Sequence, residues 1–463
     1  MEYRVERDSM GEMQVPGDAL YGASTQRAVL NFPVSGKRFP RVFFEALGAV
    51  KAAAATANMK LGKLDPKLGE PIRKAALEVR EGKHDAHFVV DIYQTGSGTS
   101  TNTNANEVVA NLANLGLGQP IGAKSPVHPN DHVNMGQSSN DVIPTAIHVS
   151  ALLDIERRLL PALKALGDSL GKKADEFRDV IKTGRTHLQD ATPVTLGQEF
   201  SGYAVQIHNC RRRIAGALEN LRELAIGGTA VGTGINTHPD FARLVCEDLS
   251  GQFKTPFREA PNHFESLAAK DTCVEVSGAL KVLAVALTKI ANDIRWLSSG
   301  PRTGIGEITI PETQPGSSIM PGKVNPVIAE SVLQAAAQVM GNDVAVAVGG
   351  AAGNFELNVM MPVIAYNLLD SVALLAGVCR IFREKCVDGI RANAERCRDT
   401  IERGLSLVTS FAPAIGYDRA AKLSQKAYRE NKTIREVARE EGLFPEEEMN
   451  RLLDPRSMLQ PEG

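Results

Sequence analysis

Apolar residues recur at helical spacing through the middle third of this 463-residue chain. In Leu152, Ile155, Leu159, Leu163, Leu166 and Leu170 the gaps are three and four residues. In Val276, Leu280, Leu283, Leu287, Ile290, Ile294 and Leu297 they alternate four and three without a break. Both patterns predict amphipathic helices, and the second is close to a coiled-coil seam. Between Glu330 and Glu356 the only charge is Asp343, and between Leu357 and Cys379 the only charge is Asp370. Helices so bare of charge are expected to be buried on every face. They predict a central bundle that is also the core of an oligomer; one large monomeric core is the alternative. Strict period-two alternation is almost absent, so the fold class is mainly α.

The flanks differ in texture. The first 40 or so residues are irregular, with Pro16, Pro33 and Pro40, and a hairpin is expected around Met10-Gly11, between Tyr3-Arg4-Val5 and Met13-Gln14-Val15. Arg41 to Asn114 is helical, broken by turns at Lys63–Pro71 and by the stretch Thr95–Asn106, which is too polar for a core. Cys386 to Arg403 is rich in Arg and Glu. Short helical patterns follow at Ala420–Asn431, Thr433–Glu441 and Pro445–Leu453 and predict a small C-terminal domain. The resulting division is 1–137, 138–403 and 404–463, with no internal repeat.

Composition narrows the function. The 52 basic and 54 acidic side chains leave a net charge of -2, which argues against a nucleic-acid partner. With 5% aromatics and one Trp, the core must be built from Ala, Leu and Val in close-packed helices. Cys210, Cys246, Cys273, Cys379, Cys386 and Cys397 form no CxxC and no run suited to zinc or an iron–sulfur cluster. They are expected to be thiols in a reducing cytoplasm. Met1 to Asp8 has no apolar h-region, so no secretory signal is expected. No uninterrupted apolar run reaches the ~20 residues of a membrane span, so no membrane partner is expected.

Five polar segments carry candidate chemistry. Pro301 to Pro326 holds five prolines and four glycines between two long helices, which marks a functional lid or a disordered tether; Ile305, Ile308, Ile310, Ile319 and Met320 inside it argue against disorder. Its GSSIMPGKVNP core fails the phosphate-loop test, because Lys323 is followed by Val324 instead of Ser or Thr. What it offers is backbone N–H groups, the hydroxyls of Ser317 and Ser318, the Lys323 ammonium and the Asn325 amide, which suit a carboxylate. Serines that merely cap turns are the plainer reading. His187, beside Thr186 in a polar loop, is a candidate acid/base, although a lone His more often has no such role. Ser138, Ser139, Asn140 and Asp141 suit a helix N-cap with Pro144 in the first turn, and such an N-terminus binds anions. Ser97-Gly98-Thr99, with Asn102 and Asn104, reads as an anion cradle or simply a loop. His128 and His132 stand at a metal-binding spacing, but Pro129 and Asn130 between them favour a loop or a helix start. Together these polar loops between long helices fit a site for a small dianion, with no metal and no nucleotide.

If Asp141 to Arg178 is one helix, it runs about 55 Å. The ten or so residues on to His187 return at most ~35 Å. Ser139 and His187 of one chain then cannot meet, and a site using both draws on different subunits. Pro161 is the expected place for a kink.

These motifs together resemble the fumarase/aspartase superfamily, and most closely its class II, iron-independent fumarases. GSSIMPGKVNP at 316–326 is similar to the superfamily signature. TGRTHLQDA at 183–191, SGT at 97–99, SSND at 138–141, HPND at 128–131, GTAVGTG at 228–234 and NTHP at 236–239 stand in the family's order. The resemblance covers nearly the whole chain. It implies a three-domain, mainly α fold whose central bundle assembles a homotetramer with sites shared between subunits, reversible hydration of fumarate to L-malate, and no cofactor. It implies that Ser317 removes the C3 proton, that His187, paired with Glu330, serves proton transfer at the hydroxyl side, and that Lys323 stabilises the charge that develops. Ser97, Gly98, Thr99, Ser138, Ser139, Asn140, Thr186, Ser318, Lys323, Val324 and Asn325 would bind substrate. His128, Pro129, Asn130 and Asp131 match a secondary dicarboxylate site, although Lys124-Ser125-Pro126-Val127 stands where some relatives carry an Arg. Met135-Gly136 replaces the Lys-Ser of many relatives. An aspartate ammonia-lyase would carry Gln in place of His187. A non-catalytic scaffold protein would tolerate loss of Ser317, His187 or Lys323.

Overall fold

The computed structural model describes residues 2–461. The chain opens with the hairpin β1 (Tyr3–Asp8) and β2 (Gly11–Pro16), antiparallel and in register from Tyr3–Pro16 to Asp8–Gly11. Helices follow: α1 (Ala23–Asn31), α2 (Arg41–Lys60), α3 (Pro66–Arg80), α4 (Thr99–Gly116), α5 (Ser139–Asp154) and α6 (Leu160–Glu176). A second antiparallel hairpin, β3 (Ile181–Thr186) and β4 (Gln189–Thr195), precedes α7 (Leu196–Leu221), α8 (Phe241–Phe253), α9 (His263–Ala268) and α10 (Asp271–Leu297). Beyond an irregular segment come α11 (Val327–Gly350), α12 (Met361–Lys385), α13 (Ala394–Arg403) and four shorter helices ending at Leu452. The fold is mainly α.

Two compact units are present. One comprises Met1–Pro161, Arg212–Ala284 and Ala337–Ala376; the other comprises Ala162–Arg211, Val285–Ala336 and Gly377–Gly463. The predicted seams are core. Leu152, Ile155, Leu159, Leu163, Leu166 and Leu170 are fully buried, as are the residues of the α10 seam from Val276 to Ile294. Residues 139 to 176 are helical throughout, because a single π turn at Ile155–Leu159 joins α5 to α6. Pro161, the expected kink, follows that turn. The wider π spacing is where a helix can absorb the N–H that proline lacks.

Three expectations need correction. The Thr95–Asn106 stretch is not a loop too polar for the core: from Thr99 onward it is α4, and Asn102, Asn104, Asn106, Asn111 and Asn114 are buried in it. Three of these amides pair with neighbouring backbone. Asn114 exchanges two 2.9 Å bonds with Val127, Asn104 accepts from Val89 N–H and donates to the His87 carbonyl, and Asn111 donates to the Leu20 carbonyl and accepts from Gly122 N–H. Buried amides are tolerated where such pairing replaces water. Pro144 lies inside α5, beyond its first turn. The segment carrying His187 is a hairpin, not a polar loop. Within the single chain part of α11 stays open: Val344 and Val348 are 62% and 60% exposed, and Ala337 and Gly341 are exposed on the same helical face, whereas the burial expected on every face is that of an oligomer.

By length and composition, the helix Met361–Gly389 is apolar enough to cross a membrane. Its residues Ile364, Leu368, Leu369, Val372 and Leu375 are fully buried, which is the pattern of a core helix. The C-terminal helices Tyr417–Glu430, Ile434–Glu440 and Glu446–Leu452 match the three short patterns to within a few residues. Phe411, Leu423, Ala427, Ile434, Val437, Met449 and Leu453 form their core.

Candidate active site

In the first unit two helix N-termini meet. Gly98 precedes α4 in the left-handed region at φ 72°, and a Cβ there would lie 2.8 Å from Ile143 of α5, so glycine allows the close approach. Thr99 then begins α4 with its hydroxyl 2.7 Å from Ser97 Oγ and 2.7 Å from Ser139 Oγ. Ser138 caps α5: its Oγ accepts from Asn140 N–H, and Asp141 returns a bond to Ser138 N–H, a capping box. Ser97, Gly98, Thr99, Ser138 and Ser139 are therefore gathered where two helices offer free N–H groups and positive dipole ends, an arrangement that receives anions. Asn140 is held beside them by a 2.8 Å bond from Nδ2 to the Ala230 carbonyl.

Two buried charges underlie this cradle. The fully buried Asp141 carboxylate accepts from Gly227 and Thr229 N–H, both at 3.0 Å, as well as from Ser138. Burial pushes its carboxyl up to about 6, against those bonds and the attraction of Lys51. The fully buried Lys51 donates at 3.0 Å to Asn134 Oδ1 and Gln137 Oε1, and burial pulls its ammonium down to about 7. From sequence Asp141 reads only as part of the N-cap cluster, and Lys51 is not singled out. The available signal was Lys51, the only charge between Glu45 and Lys60 in an alanine-rich helix.

His128, Pro129, Asn130 and Asp131 form the start of a π turn, Pro129–Val133. His128 Nδ1 accepts from the N–H groups of Asn130 and Asp131, and His132 Nδ1 accepts from His128 N–H. Both imidazoles thus act as local caps. Among the described residues, no group of three or more His, Cys, Asp or Glu side chains is placed to hold a metal ion.

In the second unit, His187 and Leu188 form the two-residue turn of the β3–β4 hairpin, with φ of 55° and 59°. Two positive values define the turn type that normally carries Asn-Gly. Holding other residues there costs on the order of 1–3 kcal/mol each, a strain that clusters at functional sites. Thr186 ends β3 beside His187, and both are exposed. Lower on the strand, Arg185 and Lys182 reach the fully buried Glu307.

Residues 316–326 form a tight turn closed by Gly316 N–H bonding the Lys323 carbonyl at 2.9 Å. A Cβ on Gly316 would fall 2.1 Å from that carbonyl oxygen, so only glycine fits. Asn325 Nδ2 bonds the Gly316 carbonyl across the same turn. Inside it, Ser317 Oγ accepts from Ile319 N–H at 3.3 Å and from Met320 N–H at 3.0 Å. Two N–H dipoles aimed at a hydroxyl oxygen favour its ionised form. Ser318 and Val324 lie on the same turn, and Lys323 is exposed. Lys323, Val324 and Glu330, on the first turn of α11, line a cavity of about 590 Å³ with Arg295 and Trp296. Among the described residues, no hydrogen bond or ion pair joins His187 to Glu330 within this chain.

The chain thus carries two joined helix N-termini in its first unit and, in its second, a glycine-closed turn bearing Ser317, Lys323 and Asn325 and a histidine at the tip of a hairpin. A family model described as Lyase matches residues 11–341, and one described as Fumarase C C-terminus matches residues 407–460. Fumarate hydratase class II of Neisseria meningitidis is 52% identical over 461 residues, covering 100% of both chains. The mitochondrial fumarate hydratase of Rhizopus oryzae is 51% identical over 460 residues, 99% of this chain and 93% of the other. The crystal structure of the class II fumarase from Schistosoma mansoni matches with a TM-score of 0.97 at 41% identity, covering 100% of both chains. The chain belongs to this lyase family, among the class II fumarate hydratases.

Proposed function

We propose that the chain catalyses reversible hydration of fumarate to L-malate by anti addition and elimination of water through an aci-carboxylate intermediate. The observation that carries the reading is the 316–326 turn, in which two backbone N–H groups already point at Ser317 Oγ. Ser317 removes the C3 proton; an ordinary serine is far too weak a base, and those N–H groups with the Lys323 ammonium lower the cost of its alkoxide. The intermediate carries two negative charges on one carboxyl group, which Lys323, Asn325 and loop N–H groups stabilise. His187, paired with Glu330, moves the proton at the hydroxyl side. Thr99, Ser138, Ser139, Asn140, Thr186 and Ser318 hold the substrate carboxylates, with Ser97, Gly98 and Val324 shaping the pocket. The turn at His128, Pro129, Asn130 and Asp131 is a secondary dicarboxylate site.

The working unit in this reading is a homotetramer in the cytoplasm, with each pocket completed by different subunits. The uninterrupted helical run from Ser139 to Glu176 and the exposed apolar stripe on α11 support it. The three-part division at 137 and 403 belongs to the same reading, supported by the separate hydrophobic cluster of the last 60 or so residues. The test follows fumarate by its ultraviolet absorbance, from malate and from aspartate, with and without prolonged chelation. Malate dehydration that survives chelation is expected. Activity on aspartate alone overturns the assignment.

A further inference from the structure

We infer that Glu307 is a positioning residue for His187, acting through Arg185. The inference rests on the role of His187 proposed above. Glu307 is the only charged residue between Arg302 and Glu312, and it is fully buried. Its backbone is fixed on both sides: N–H bonds the Leu297 carbonyl at 2.9 Å, and its carbonyl accepts from Asn393 N–H at 2.8 Å. Against this fixed carboxylate Arg185 lays both ends of its guanidinium, Nη2 to Oε1 at 2.8 Å and Nη1 to Oε2 at 3.1 Å. Such a planar double bond fixes direction as well as distance, which a lysine does not. Lys182, also buried, stands 3.2 Å from Glu307 and 3.4 Å from Glu199 and donates to the Thr183 carbonyl.

Arg185 pairs with Asp190, and the next pair, Thr186 with Gln189, closes the turn that holds His187. The register shifts between Thr183 and Arg185, so the ladder is interrupted just below the tip. Among the described residues, His187 itself makes no hydrogen bond. Its placement therefore depends on its backbone, which adopts a conformation the residue does not prefer. The Arg185–Glu307 fork is the anchor nearest that tip on β3. Burial works against the Arg185 charge, yet hydrogen bonding to Glu307 and the attraction of its carboxylate hold the guanidinium above its ordinary value.

The test is a double-mutant cycle on the intact assembled enzyme, with kcat and KM measured for malate. Glu307→Gln is expected to lower kcat roughly 10- to 100-fold, as a misplaced reacting group does, with KM changed less than about 3-fold. Glu307→Asp should recover part of the loss. Because Glu307→Gln also removes the counter-charge that Arg185 and the buried Lys182 share, Arg185→Lys is the second variant: it keeps the charge, removes the fork and should show the same split. In a His187→Asn background either substitution should cost less than about 2-fold more. A full additive loss in that background overturns the inference, since Glu307 then acts elsewhere. So does unchanged kcat in a folded Arg185→Lys enzyme. If His187→Asn alone retains turnover, the role of His187 falls and the inference falls with it. If His187→Asn is inactive and Glu307→Gln is not impaired, only the inference falls.

Discussion

The hydroxyls of Thr99 and Ser139 stand 2.7 Å apart, although 40 positions separate them in the chain. Each opens a helix, so the contact brings two positive helix ends to one point. A carboxylate bound there would be held largely by neutral donors.

Removing those donors should weaken binding more than turnover. Thr99→Ala and Ser139→Ala are each expected to raise KM for malate about 10-fold, the worth of one hydrogen bond to a charged group. Values of kcat should change by less than about 3-fold. Steady-state kinetics on both variants decide the matter, and unchanged KM in both would move the substrate elsewhere.

Ser317 offers a sharper contrast. Its Oγ accepts two backbone N–H bonds, so replacement by alanine removes an oxygen without disturbing the 2.9 Å closure between Gly316 and Lys323. Ser317→Ala should lose at least about 100-fold in kcat, the usual scale for a general base. Circular dichroism and assembly should be unchanged. A variant with most of its turnover takes the base role away from Ser317.

The buried Lys51 of α2 and Asp141 of α5 make stability depend on pH in two windows. Lys51 has its ammonium lowered to about 7, so the folded chain releases a proton that the unfolded chain keeps until about 10.5. Stability should therefore rise with pH across that interval, with a slope of at most about 1.4 kcal/mol per pH unit for one proton. Asp141, raised to about 6, acts in the opposite direction: between about 4 and 6 the folded chain keeps the proton, and stability falls as pH rises. Urea midpoints of the native protein and of Lys51→Met, compared from pH 7 to 10, isolate the first effect. The variant should show the shallower rise, and identical slopes would mean that burial does not penalise this ammonium.

The stripe on α11 predicts assembly. Val344→Glu and Val348→Glu add charge to an exposed apolar face and should leave helix content intact. Sedimentation should then show smaller species than the unmodified chain forms. An unchanged sedimentation coefficient would place the subunit contact elsewhere.

Much of this architecture was legible in spacing alone. The seams at 152–170 and 276–297 read as helices because every third or fourth residue is apolar, and those positions are the core. Buried polarity was harder to read. Asn104, Asn111 and Asn114 look like loop residues until the backbone groups they bond are known, and those lie 11 to 91 positions away. The His187 hairpin was hidden because its turn lacks the glycine that normally announces one. Lys51 and Glu307 were visible only as single charges in uncharged surroundings, and their partners come from distant segments. The Gly316–Asn325 turn, by contrast, was legible, since its close contacts are local.

All six cysteine thiols lie inside the folded chain. For Cys246, Cys379, Cys386 and Cys397 burial pushes the thiol up to about 12. Alkylating reagents attack the ionised sulfur, so in the native protein these sites are doubly shielded, by access and by protonation. The chain thus carries built-in reporters of its own opening. Mass spectrometry of iodoacetamide-treated enzyme would read, peptide by peptide, which helices loosen first on heating.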